Sequence, residues 1–163
     1  MALFLYNVFL IFYSIGIRVT SIKSKKAQLW LNGRKDLLKN LQNWRSKLSP
    51  SQKIIWMHCA SLGEFEQGRP LLEEIKKTNP DHKILLTFFS PSGYEIRKNY
   101  SGADAVFYLP MDGAANAEKF IGIIQPSIVL WVKYEYWYYY LIIFTIWLEF
   151  LSIDPSFLII NIK

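Results

Sequence analysis

Ile54-Ile55-Trp56-Met57-His58-Cys59, followed at once by Ala60-Ser61-Leu62-Gly63-Glu64, is the stretch that decides the fold. Its first part is a short apolar run rich in β-branched and aromatic residues, the composition of a strand buried on both faces of a parallel sheet. Its second part is a glycine-containing turn that opens a helical segment reaching Lys77, with Leu71, Leu72 and Ile75 on one side. Glu73 and Lys77 stand one helical turn apart and can pair. Asn79-Pro80-Asp81 stops the helix.

Towards the C-terminus the unit repeats. Residues 84–89 read as a second strand, and Ser90-Pro91-Ser92-Gly93 is a turn with proline placed to start a helix over 94–100. Residues 105–109 read as a third strand, closed by Pro110-Met111-Asp112-Gly113. A helix over 114–124 and a fourth strand over 127–132 follow. Strands alternating with helices imply βαβ units, hence an α/β fold with a parallel sheet and helices on both faces. Such sheets bind ligands beyond the carboxyl ends of their strands. Ser61 to Glu64, Ser90 to Gly93, Asp112 and Lys133 to Glu135 all fall there.

Towards the N-terminus the composition changes. Residues 1–17 are uncharged and mostly apolar, about 25 Å of helix at a rise of about 1.5 Å per residue, near the lower limit for a membrane span. A secretory signal would carry its positive charges before the apolar run, whereas here they come after it. An uncleaved anchor with the basic side cytoplasmic fits that order, and a buried core helix is the alternative for so short a run. Residues 25–48 then show Leu29, Leu31, Leu37, Leu38, Leu41, Trp44 and Leu48 at near-helical spacing among lysines and arginines. Next to an anchor, such a basic amphipathic stretch suits anionic headgroups, and otherwise it is a solvated face over a small seam.

The 163 residues suffice for one domain with a real core, and 52% apolar against 20% charged residues excludes general disorder. The net charge of +6 is uneven: residues 1–50 carry +8 and the remainder −2. The basic character belongs to the N-terminal segment, so it argues for no nucleic-acid partner. One cysteine makes no internal disulfide, and no Cys/His cluster suggests a metal cage. Neither a dinucleotide fingerprint, a P-loop nor a G-x-S-x-G elbow is present. The chemistry therefore falls to carboxylates. Glu64, at a strand-to-helix turn, can take a proton from a substrate hydroxyl, or it can serve only as a helix cap. His58 and Cys59 read as core residues. Glu135 follows the fourth strand among aromatics, where a lone carboxylate is costly, and Lys133 is its nearest partner in sequence.

Taken in order, Trp56-Met57-His58-Cys59-Ala60-Ser61-Leu62-Gly63-Glu64-Phe65, Pro70-Leu71-Leu72, Leu109-Pro110-Met111-Asp112 and Tyr134-Glu135-Tyr136-Trp137 resemble the 3-deoxy-D-manno-octulosonic acid (Kdo) transferases of lipopolysaccharide synthesis. The similarity runs from about Leu3 to about Leu141 and includes the Gly33-Arg34 step. The segment around Glu135 departs from the commoner Thr-Glu-Leu-Trp-Pro-Asn and looks like the Bacteroidetes form. The resemblance implies the N-terminal half of a glycosyltransferase B fold, a Rossmann-like acceptor domain, with inverting, metal-independent transfer. No cofactor is implied; CMP-Kdo is the donor of full-length members. Glu64 would be the general base, Ser61 and Gly63 would shape the acceptor loop, and Glu135, Lys133 and Arg34 would contact or position the substrate. The partners implied are the lipid A precursor, an anionic glycolipid, and the cytoplasmic surface of a bacterial inner membrane.

These readings divide the chain into an anchor helix (1–20), a basic amphipathic segment (21–50), a Rossmann-like acceptor domain (51–141) and an apolar tail (142–163). Beyond Leu141 the family pattern stops, which leads to the expectation of a truncated or frameshifted, inactive half. A non-catalytic glycolipid-binding fragment or a degenerate gene product are the other readings. A short second membrane segment over 136–148 is disfavoured by Glu149.

Overall fold

In a computed structural model of the chain, residues 1–132, 137–150 and 159–162 are described, with 147–150 and 159–162 described by their backbone alone. The strands are β1 (Ile54–Cys59), β2 (Lys83–Phe88), β3 (Ala105–Tyr108), β4 (Ile128–Val132) and β5 (Ile159–Ile162). They form one sheet in the order β3-β2-β1-β4-β5, and every neighbouring pair is parallel. Met57 at the centre of β1 is in register with Leu86 of β2 and Leu130 of β4. The helices are α1 (Ala2–Thr20), α2 (Lys25–Asn32), α3 (Leu37–Arg45), α4 (Leu62–Thr78), α5 (Pro91–Arg97), α6 (Ala114–Ile124) and α7 (Tyr138–Phe150).

The strand alternation sorts the core into two layers. Ile54 and Trp56 face Leu41 of α3, Phe120 and Ile121 of α6, and Tyr140 and Phe144 of α7. Ile55, Met57 and Cys59 face the other way, towards Phe65 and Leu72 of α4. Helices thus cover both faces, as an all-parallel sheet requires. The Trp56 ring lies 5.0 Å from Phe120 and 5.4 Å from Trp131, centroid to centroid. Burying one such large side chain stabilises the fold by roughly 1.5–3 kcal/mol.

Two segments differ from the sequence reading in instructive ways. Residues 25–48 form two helices, broken at Gly33-Arg34-Lys35-Asp36, where Asp36 takes a left-handed φ of 54°. Gly33 stands so close to the Tyr108 ring that a Cβ would overlap it, and the break lets Arg34 turn inward. The helix expected from Tyr94 begins instead at Pro91, because the Ser90 hydroxyl accepts the Ser92 N–H at 3.3 Å and caps it.

Residues 142–163, set apart in the sequence as an apolar tail, contribute to the fold in the described part. The division at Leu141 falls inside α7, whose Tyr140 and Phe144 are buried, and β5 extends the sheet from the outer edge of β4. Among the described residues one helix, α1, is long and apolar enough to cross a membrane.

Candidate functional site

The chain runs from β1 out to β2 and β3, then returns to place β4 on the other side of β1. This reversal falls at the carboxyl ends of β1 and β4, the position where open α/β sheets take their ligands. The Ser61–Glu64 turn leaves β1 at that point. Ser61 is extended (φ −140°) and caps α4. The Glu64 side chain turns back so that Oε2 accepts the backbone N–H groups of Ala60 and, at 3.3 Å, Ser61. These are N–H groups that a helix start leaves unpaired, and a carboxylate there also meets the positive end of the helix dipole. The capping geometry considered for Glu64 is therefore present, with both hydrogen bonds on one oxygen. Glu64 remains half-exposed, and beside it a Cβ on Gly63 would meet nothing within 4 Å.

Below the turn the side chains are locked. The Trp56 indole donates to Thr87 Oγ1 at 2.8 Å, and Thr87 Oγ1 lies 2.9 Å from His58 Nδ1. Burial, assisted by the Arg34 charge, lowers the His58 pKa to about 3, so the imidazole is neutral at pH 7. Burial, then the Glu64 charge, pushes the Cys59 thiol well above its usual range, which leaves it inert as a nucleophile. Both residues serve packing and support.

Arg34 extends from the break between α2 and α3 to the carboxyl ends of two strands. Its Nε donates to the Leu109 carbonyl at 2.9 Å, one terminal nitrogen to Phe89 at 2.8 Å and the other to Trp30 at 3.1 Å. The guanidinium carbon lies 3.7 Å from the centroid of the Trp30 ring, 4.7 Å from Tyr108 and 4.9 Å from Phe89. Burial lowers its pKa to about 9, high enough for the group to stay charged at neutrality. The link to Glu64 is through the backbone: Phe89 precedes Ser90, whose N–H donates to the Ala60 carbonyl at 2.8 Å.

Asp112 ends the β3 loop and is only 4% exposed. Its Oδ2 accepts Tyr6 Oη–H at 2.6 Å and the Tyr139 N–H at 3.2 Å, while Tyr139 Oη donates to Asn7 Oδ1 at 2.8 Å. Sequence reasoning marked Asp112 but missed Tyr6, Asn7 and Tyr139. The available signal was Asn7, which with Ser14 is one of two strongly polar residues in the apolar run 1–17. Lys133 and Glu135 lie outside the described residues. A groove of about 360 Å³ runs between α1, α3 and the β3–α6 loop, lined by Arg18, Lys39, Met111 and Asn116 among others.

The sequence model of the family described as 3-Deoxy-D-manno-octulosonic-acid transferase (kdotransferase) matches residues 35–144, from just before α3 into α7. The chain belongs to this family. The Rossmann-like sheet with helices on both faces is the architecture expected for the N-terminal half of a Kdo transferase. The 3-deoxy-D-manno-octulosonic acid transferase of Aquifex aeolicus is 36% identical over 94 residues, covering 57% of this chain and 26% of that protein. Its Haemophilus influenzae counterpart is 34% identical over 90 residues, or 54% of this chain and 21% of that protein. That of Rickettsia typhi is 24% identical over 123 residues, 75% of this chain and 26% of that protein. The match thus spans about a quarter of the length of these relatives.

Proposed function

We propose that this chain forms the acceptor side of a Kdo transferase, with Glu64 as the base that deprotonates a sugar hydroxyl of the lipid A precursor. One observation carries the reading: Glu64 occupies the turn at the reversal of strand order, half-exposed, with both backbone hydrogen bonds on Oε2. Oε1 then meets the acceptor hydroxyl and takes its proton as the oxygen attacks the anomeric carbon of Kdo, with CMP leaving from the opposite side. The N–H groups on Oε2 fix the carboxylate in place, which is what a positioned base requires. Ser61 and Gly63 shape the acceptor loop, the open space beside Gly63 admitting the sugar. Glu135 and Lys133 act from the chain that follows β4, and Arg34 positions the turn through Phe89 and Ser90. The domain works at the cytoplasmic face of a bacterial inner membrane, with α1 as its anchor and the exposed lysines of residues 21–50, Lys23, Lys25 and Lys26 among them, facing the anionic lipid.

In this family transfer takes place between two facing halves, and the residues described here form one of them. The test replaces the matched segment of the Aquifex aeolicus transferase with residues 51–132. The chimera is expected to transfer Kdo, and Glu64→Gln to lower kcat by about 10²–10⁴-fold with the fold intact by circular dichroism. A Glu64→Gln chimera as active as its parent would remove the base assignment.

The groove bounded by Arg18, Lys39 and Asn116 favours a second reading, a module that holds the glycolipid without chemistry. In that case the chain binds lipid A precursor in mixed micelles equally well with and without the Glu64→Gln substitution, and the chimera is silent.

A further inference from the structure

The side of α1 that meets the domain is a regular stripe. Tyr6, Asn7, Leu10, Tyr13, Ser14 and Ile17 are buried or half-buried, at the spacing of one helix face. Tyr6 is bonded to Asp112 and Asn7 to Tyr139, Leu10 is 7% exposed, and the Tyr13 ring lies 6.2 Å from Phe89 and 6.4 Å from Trp30. From Tyr6 to Ile17 the stripe runs for roughly 17 Å of helix. On the opposite face Phe4, Phe9, Ile11, Phe12, Ile15 and Val19 are between 47% and 69% exposed.

Length alone fits a span, since nineteen residues make about 28 Å. The contacts decide otherwise. A helix standing across a bilayer meets lipid or other apolar surface on every side at hydrocarbon depth. Here one side faces the domain, and beside Tyr139, Phe89 and Trp30 it borders the β3–α6 loop at Met111 and Asp112 and Asn116 in the first turn of α6. Upright, α1 would draw that partly exposed loop and the Asn116 amide into hydrocarbon, where lipid-exposed irregular backbone is not tolerated. Lying flat, it buries the outward aromatic and aliphatic face at the acyl boundary and leaves the loop in water. The residues that follow suit such a pose, because Arg18, Lys23, Lys25 and Lys26 are all exposed at its C-terminal end, where anionic headgroups would meet them.

We infer that α1 lies in the plane of one leaflet, clamped to the α/β domain through Tyr6–Asp112 and Asn7–Tyr139, and that its outward face docks on an anionic bilayer without crossing it. The inference rests on the membrane reading above, and the two fail differently. Inverted inner-membrane vesicles from bacteria expressing the full chain are treated with a membrane-impermeant maleimide. Ser51→Cys, exposed on the domain, marks the accessible side. Ala2→Cys is expected in the membrane fraction and labelled as fully as Ser51→Cys without detergent. Ala2→Cys labelled only after detergent means that α1 crosses, which overturns the inference and keeps the membrane reading. Absence of the chain from the membrane fraction overturns both. Phe12→Asp, on the outward face, is expected to lower the bound fraction about tenfold with circular dichroism unchanged. Undiminished binding of that variant likewise overturns the docking face.

Discussion

Arg34 shows how much a single side chain can organise. A planar guanidinium can donate to three carbonyls at once and stack on rings, whereas a lysine ammonium on a flexible stem reproduces neither. Its partners are Trp30 in α2 and the residues just past the ends of β2 and β3. Arg34→Lys is expected to cost about 2–3 kcal/mol in a denaturant titration, since hydrogen bonds to a charged donor contribute about 1.5–3 kcal/mol each and at least one carbonyl is left without its donor. A loss below about 0.5 kcal/mol would show that water or a neighbour replaces the guanidinium. The Gly33-Arg34 step was visible in the sequence, but the direction of the side chain was not. Nothing in a basic, helical-looking stretch indicates that one of nine N-terminal cations turns inward to meet backbone oxygens. Glu64 was more legible, because its capping partners are its own neighbours in sequence.

Among the elements, the four strands that carry apolar runs bounded by turn residues were readable in place, since their signals are local. The last helix was not. An uninterrupted apolar run with no alternation suits a buried helix, a membrane segment or a stray tail equally, and only packing separates them. In the structure α7 packs on α6, with Tyr140 Oη donating to the Pro110 carbonyl at 3.2 Å and Phe144 2% exposed. Phe144→Ala is accordingly expected to destabilise the domain by about 3–5 kcal/mol, measured as a shift in the urea midpoint at unchanged slope. A change within about 0.5 kcal/mol would return residues 142–163 to the status of an appendage. The split between α2 and α3 escaped the periodicity for a related reason. It is set by the Tyr108 ring, which arrives from a strand more than seventy residues further along.

For the molecule as a whole, acid sensitivity follows from its centre. His58 sits on the middle strand with a folded pKa of about 3, against an ordinary value of about 6.5 in the unfolded chain. Above pH 6.5 neither state takes the proton. Between the two values only the unfolded chain does, so stability falls as pH drops, by about 1.4 kcal/mol per unit. From pH 6.5 to 5 the expected loss is about 2 kcal/mol, seen in denaturant titrations at both pH values and flattened in His58→Gln. An equal slope in that variant would assign the acid loss elsewhere. The α/β class and the uneven charge were legible because both are written along the chain. The fastening of α1 was not, because it joins residues 106 and 132 positions apart. That separation also has a meaning in time. A ribosome adding about 5–20 residues per second releases α1 roughly 5–20 s before Asp112 is made, and Tyr139 follows later still. During that interval the newborn helix has no domain to lean on, so the order of synthesis delivers it to a lipid surface or a chaperone first and brings the rest of the protein to it afterwards.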